Sequence, residues 1–168
     1  DVTITGGTPT LTIGDAGAED AKIVFDGNAQ DFHIGLDDTA DDLVIGKGSA
    51  LGTTPAISIA DTLKTTFGGG AIGATYSVTG SGNITMNFDL YTNFQISANG
   101  NVVLLNGTGT LTAGQSGLIV LIQDGTGSRT LSTQSDYEWP AATVGTISTA
   151  ANAVDIIPYY IDANDSIL

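Results

Sequence analysis

Apolar residues recur at alternate positions in short runs, and each run stops at a glycine or a group of acids. Leu11-Thr12-Ile13-Gly14, Phe32-His33-Ile34-Gly35 and Leu43-Val44-Ile45-Gly46 share one phrase: an apolar residue, any residue, Ile, Gly. The second and third copies begin 11 residues apart, with Asp37-Asp38-Thr39-Ala40-Asp41-Asp42 lying between them. That spacing fits one extended strand plus one turn. The pattern predicts strands at residues 10–13, 22–25, 32–34, 43–45 and 56–59, with turns at Asp26-Gly27 and at residues 52–55.

Farther along, residues 75–78, 83–88 and 94–97 are rich in Thr, Tyr, Phe and Ile, which suit a pleated surface. Gly80-Ser81-Gly82 between the first two reads as a hairpin loop. Residues 102–105 and 118–122 are continuous apolar runs, so cover is expected on both faces, as in a sandwich or a trimer core. Asp124-Gly125-Thr126-Gly127-Ser128 turns the chain into a strand at 129–132. Residues 154–161 form the last strand. Pro158 within it has no N–H for a ladder bond, which calls for an edge or a bulge. No 3.6-residue apolar period is sustained anywhere. Helix should stay under about a tenth of the chain, with residues 148–153 the one helical turn expected.

Charge divides the chain. Residues 1–61 carry 11 acids, residues 62–123 carry only Asp89, and residues 124–168 carry six. Gly68-Gly69-Gly70 is the expected joint. The division is an acidic short-strand region at 1–67, a Gly-rich joint and β segment at 68–98, and a β-sandwich-like region at 99–168. Only Lys22, Lys47, Lys64 and Arg129 oppose the acids, leaving a net charge of −14. That balance repels nucleic acid, whose binding needs cations to displace counterions. No apolar run approaches the roughly 18 residues of a membrane span. The chain has no cysteine, so disulfides and thiolate metal sites are excluded. It begins at Asp1 and ends on Ser166-Ile167-Leu168, which reads as mid-strand, so a segment of a longer or processed chain is expected.

Few residues carry candidate chemistry. Gly68-Gly69-Gly70-Ala71-Ile72-Gly73 matches G-x-G-x-x-G, but a dinucleotide site needs that motif to open a helix. The next residues, Ala74-Thr75-Tyr76-Ser77-Val78-Thr79, favour a strand. His33 is the only histidine, and a solvent-facing or interface position is expected for it. Asp37, Asp38, Asp41 and Asp42 could relieve their mutual repulsion by sharing a hard cation such as Ca2+ through oxygen ligands. The spacing matches neither the EF-hand loop nor the Gly-Gly-x-Gly-x-Asp nonapeptide of calcium β-rolls, and a solvated turn is the competing reading. No other cofactor is expected. Asp15, Glu19 and Asp20 form a looser cluster of the same kind. Glu138 beside Trp139 is the one carboxylate with a sugar-stacking surface at hand; Trp139-Pro140 equally serves as a plug at the end of a sandwich. No nucleophile elbow is present. The sequons at Asn83 and Asn106 are explained by turn chemistry.

Two stretches resemble fibre-like structural proteins of tailed bacteriophages, particularly those of marine phages and cyanophages. One is residues 11–61, with "LTIGDAGAEDAKIVFDGNAQDFHIGLDDTADDLVIGKG". The other is residues 99–167, with "LTAGQSGLIVLIQDGTGSRTLS" and "ISTAANAVDIIPYYIDANDSI". The resemblance implies a virion location and contacts with other virion proteins, and it carries no catalytic residue. Together these readings set the expectation. The chain should be all-β, with a short-strand, turn-rich N-terminal region followed by a β-sandwich-like C-terminal region, assembled as a parallel homotrimer with residues 118–122 or their neighbours near its centre. It should be a segment of a phage fibre or surface appendage serving host attachment, in contact with host surface glycan. It should not be an enzyme, bind nucleic acid or insert into a membrane. The alternatives are a capsid-surface decoration or head fibre and, behind that, a polysaccharide-cleaving tailspike.

Overall fold

The computed structural model describes residue 1 and residues 3–168. The protein is all-β: strand residues make up 42% of the chain and helical residues 2%. Among the described residues the only helical element is the 3-10 turn Pro140–Ala142. The turn expected at 148–153 is non-helical. Two compact units follow one another, Asp1–Ala71 and Ile72–Leu168. The expected division at residue 98/99 runs through the middle of a single strand of the second unit.

The first unit is an antiparallel meander of five strands in chain order. These are β1 (Ala21–Phe25), β2 (Phe32–Asp37), β3 (Asp42–Lys47), β4 (Pro55–Ile59) and β5 (Thr65–Phe67). Four match the alternating runs. The strand expected at 10–13 is absent, although it carries the same phrase as β2 and β3. The short β5 pairs Thr65 with Ile59 and Phe67 with Ile57.

Register puts opposite residues on a common face. Ile23, Ile34, Ile45, Ile57 and Phe67 form one row across all five strands. Phe25–Phe32 and Leu36–Leu43 flank it. The other face carries His33 and Val44, with the glycines Gly35 and Gly46 among them. It is this small-residue face that is covered. Lys22 Nζ donates to Ser49 O at 2.6 Å, and His33 Nδ1 bonds Gly48 O at 2.7 Å, so residues 48–49 fold over it. His33 and Val44 are buried there, and the solvent or interface position expected for His33 does not hold. A Cβ at Gly46 would stand 2.6 Å from His33 Nε2, so only glycine leaves room for the ring. His33 Nε2 is buried without a partner.

The second unit is built differently. Its sheet runs β10 (Val154–Tyr160), β8 (Ser116–Gln123), β7 (Asn93–Leu104), β6 (Thr75–Ile84), and β9 (Leu131–Thr133) also pairs with β7. β6, β7, β8 and β9 are parallel. β8 and β9 lie end to end along one edge of β7: β8 pairs residues from Asn93 to Ala98, β9 those from Val102 to Leu104. The expected hairpin loop Gly80-Ser81-Gly82 is instead an irregularity inside β6, where its register on β7 shifts from Gly80↔Ala98 to Gly82↔Val102. β10 returns antiparallel on the outer side of β8, so Pro158 lies on an edge strand, as its missing N–H requires. The Gly-rich 68–73 segment leads into β6, a strand, and opens no helix.

The inner sheet face carries Phe94 and Ile96 of β7, Ile119 and Leu121 of β8, and Tyr159 of β10. The crossovers lay Met86, Phe88 and Leu111 against it, so the second layer is coil rather than sheet. Phe88 packs on Phe94 with ring centroids 5.0 Å apart and meets Tyr159 edge-on at 5.4 Å. Gln115 Nε2 donates to Phe88 O and Tyr91 O, fixing one crossover to the next. Ile119 and Leu121 are buried in this unit's own core. Leu118, on the opposite face of the same strand, is 40% exposed.

Candidate functional site

The site is made where β9 ends and the chain doubles back under the C-terminal residues. Gln134, Ser135 and Asp136 are knitted to the 106–107 turn. Asn106 N donates to Gln134 Oε1 at 2.9 Å, Asn106 Nδ2 to Ser135 Oγ at 3.2 Å, and Gly107 N to Asp136 Oδ2 at 3.1 Å. Ile167 N donates to Asp136 O, and Glu138 N to Ile167 O, so Tyr137 is clamped between backbone bonds on both sides. Trp139 follows, its Nε1 donating to Thr133 Oγ1 at 3.0 Å. Glu138 Oε1 accepts from Ser166 Oγ at 3.0 Å.

Trp139 lines two hollows. One is an apolar cavity of about 260 Å³ walled by Ile119, Tyr137, Ile157, Tyr159, Ile167 and Leu168, among others. The other is a more open cleft of about 530 Å³, where Thr133, Gln134, Ser135 and Glu138 supply polar groups. Tyr137 and Glu138 line both. Tyr137 Oη is buried with no hydrogen-bond partner. Burial, and then the Asp136 carboxylate, push its phenol well above the usual range, so it stays protonated and able to donate. Tyr159 Oη donates to Thr92 O at 3.0 Å, and burial pushes its pKa up as well. An aromatic wall with hydroxyl, amide and carboxylate groups along one side suits a ligand with one apolar face and many hydroxyls.

The other candidates do not converge. Asp37 Oδ1 accepts from Ala40 N at 3.3 Å, and Asp20 Oδ1 accepts from Asp38 N at 3.2 Å. Asp37 and Asp42 close the β2–β3 turn as its last pair, and Asp41 takes φ 55° within it. Among the described residues no three Asp, Glu or His side chains gather as a metal-binding group. Asp15 Oδ1 caps its own turn through Gly17 N.

Residues 73–162, just over half of the chain, match the family described as "putative phage tail fibre C-terminal domain". The chain belongs to this tail fibre family. The matched stretch falls within the second unit, Ile72–Leu168, and includes Tyr137, Glu138 and Trp139. As a tail fibre protein the chain is a structural part of the virion, associated with other virion proteins. No curated protein and no solved structure matches it. Among the described residues of this tail fibre protein no helix is long and apolar enough to cross a membrane.

Glu138 and Trp139 are readable in the sequence as a carboxylate beside a stacking surface. The rest of the lining is not. Ile119, Ile157 and Ile167 come from separate segments, and only the pairing of β8 with β10 and the Tyr137–Ile167 bridge unite them.

Proposed function

We propose that this tail fibre segment serves host attachment as a homotrimer, binding surface glycan rather than turning over a substrate. The observation that carries this reading is Trp139, which lines both an apolar cavity and a polar cleft within the tail fibre region. A sugar ring offers an apolar face to the indole and hydroxyls to Glu138, Gln134 and Ser135. Each such contact is weak. Three on one fibre raise the effective concentration of the next and multiply the binding.

Competition for host cells tests the proposal. The full chain should slow adsorption of intact phage. Trp139→Ala should raise the concentration needed by at least about tenfold, the effect of about 1.4 kcal/mol in one contact. A protein that does not compete, but binds phage particles lacking it, is a shaft or a capsid decoration. Release of reducing sugar from host polysaccharide would establish the tailspike alternative instead.

A further inference from the structure

The covered face of the β1–β5 sheet is the small-residue one, and the apolar face is open. Ile23, Phe25, Phe32, Leu36, Leu43, Ile45 and Phe67 remain exposed, by 40% at Ile23 to 60% at Phe25. With about 200 Å² for a fully exposed large apolar side chain, they leave on the order of 700 Å² of apolar surface. The largest patch on an ordinary monomer is roughly 300–600 Å². A stable complex buries about 800 Å² per partner. No carboxylate stands in these rows, and Lys47, opposite Phe32, is the one charge at their edge.

We infer that this face is the contact between copies of this chain, which pack their β1–β5 sheets against one another around a shared axis. The inference rests on the proposed homotrimer and names the surface that makes it. A sheet with one apolar face needs a second layer. Val44 is the single buried hydrophobic side chain of residues 1–71 among the described residues, so this unit lacks a core of its own. Such a face calls for a cover that is at hand from the moment the sheet forms. A host molecule met only at infection does not satisfy that, whereas another copy of the chain is present from synthesis onward. Charge agrees. At a net −14, two copies repel over most approaches. The apolar rows bring no acids together, because the unit's carboxylates sit in the turns and on the opposite face. In a closed three-fold ring each copy's face meets those of both neighbours, so every copy is covered.

The absence of cysteine makes a direct test available, because one introduced thiol on each chain reports only on contacts between copies. Leu43→Cys lies in the central strand of the apolar face, and Thr66→Cys lies on the opposite face as control. The full-length protein should sediment as an oligomer. A short bis-maleimide should link Leu43→Cys into covalent multimers at ten or more times the yield of Thr66→Cys. Phe32→Lys combined with Leu43→Lys should sediment as monomer while Trp139 fluorescence in the second unit is unchanged. A wild-type chain that sediments as monomer overturns the homotrimer and this surface together. A wild-type oligomer in which Leu43→Cys links no better than Thr66→Cys overturns the surface alone and leaves the trimer standing. If the double-lysine chain does not fold, the cross-linking comparison decides.

Discussion

Residues 72–168 hold Phe94, Met86, Ile96, Leu104, Leu121 and Ile161 fully buried, while residues 1–71 bury one hydrophobic side chain, Val44, among the described residues. Yet the first unit is richer in the plain apolar alternation that marks a strand. Pattern and burial are separate properties. In the second unit the crossovers bring their own apolar residues onto the sheet, and the layer is closed within one chain. In the first unit the connections are short, and even the acid-free 48–54 loop that folds over the sheet leaves Val44 the one buried hydrophobic side chain among the described residues, so the alternation makes strands without making a core.

The strongest test of that difference sets two identical substitutions side by side. Phe94→Ala opens a cavity at the centre of the aromatic cluster and should cost about 3–5 kcal/mol. Phe32→Ala, on the open face, should cost about 1 kcal/mol or less at concentrations too low for association. Urea unfolding followed by Trp139, the only tryptophan, reads the first. Hydrogen exchange of the β1–β3 amides reads the second. Equal costs would mean that the open face is covered within the monomer.

Gly46→Ala should come next, at about 1–3 kcal/mol, confined to the first unit. The added methyl meets His33 Nε2 and Thr54 O, and the ring is already fixed through Gly48 O. Amide exchange in β2–β4 should speed up while the Trp139 signal holds.

Acid should have the smallest effect, and it should act on the second unit. The Arg129 guanidinium, 2.7 Å from Asp124 Oδ2, holds that carboxyl below its usual range, and the N–H groups of Gly127 and Thr126 act in the same direction. The N–H groups of Ser166 and Asn164 do the same for Asp162. A carboxyl with a lowered folded-state pKa stabilises fully above its unfolded value and loses that contribution as pH falls through the folded one. The gap in melting temperature between wild type and Arg129→Gln should therefore be present at neutral pH, narrow as pH falls below the ordinary aspartate value of about 3.9, and close once pH has passed the lowered folded-state value. A gap that persists in acid would show that the arginine acts through packing.

Strand positions in the first unit are legible because alternation and turn spacing are both local. Which face is covered is not, because cover comes from the loop at 48–49, and this is why His33 misleads. Thr12 and Ile13 repeat the right phrase but find no neighbouring strand to pair with. Gly80-Ser81-Gly82 has the chemistry of a turn, and Gly82 does adopt φ 68°. Local sequence does not distinguish a turn from an irregularity in a long strand whose partner runs parallel. Trp139 and Glu138 are legible as a pair, whereas the cavity beside them exists only once β10 lies on β8.

Parallel pairing in the second unit also orders events in time. Neighbouring strands of the first unit are joined as antiparallel hairpins over short loops, as in the Thr54–Lys47 bond with a separation of 7 residues. In the second, the Thr92–Ala74 bond spans 18 residues, Leu118–Asn93 spans 25, and Tyr159–Thr92 spans 67. Loop closure must precede the contacts that reward it, which makes such topologies slow to form. No pair of neighbouring strands among β6, β7 and β8 can zip up alone as a hairpin. The second unit must wait for the chain to reach Tyr159 before its aromatic cluster closes. During that interval the meander of the first unit is already free to form, and its apolar face is presented to neighbouring chains before the second unit has finished folding.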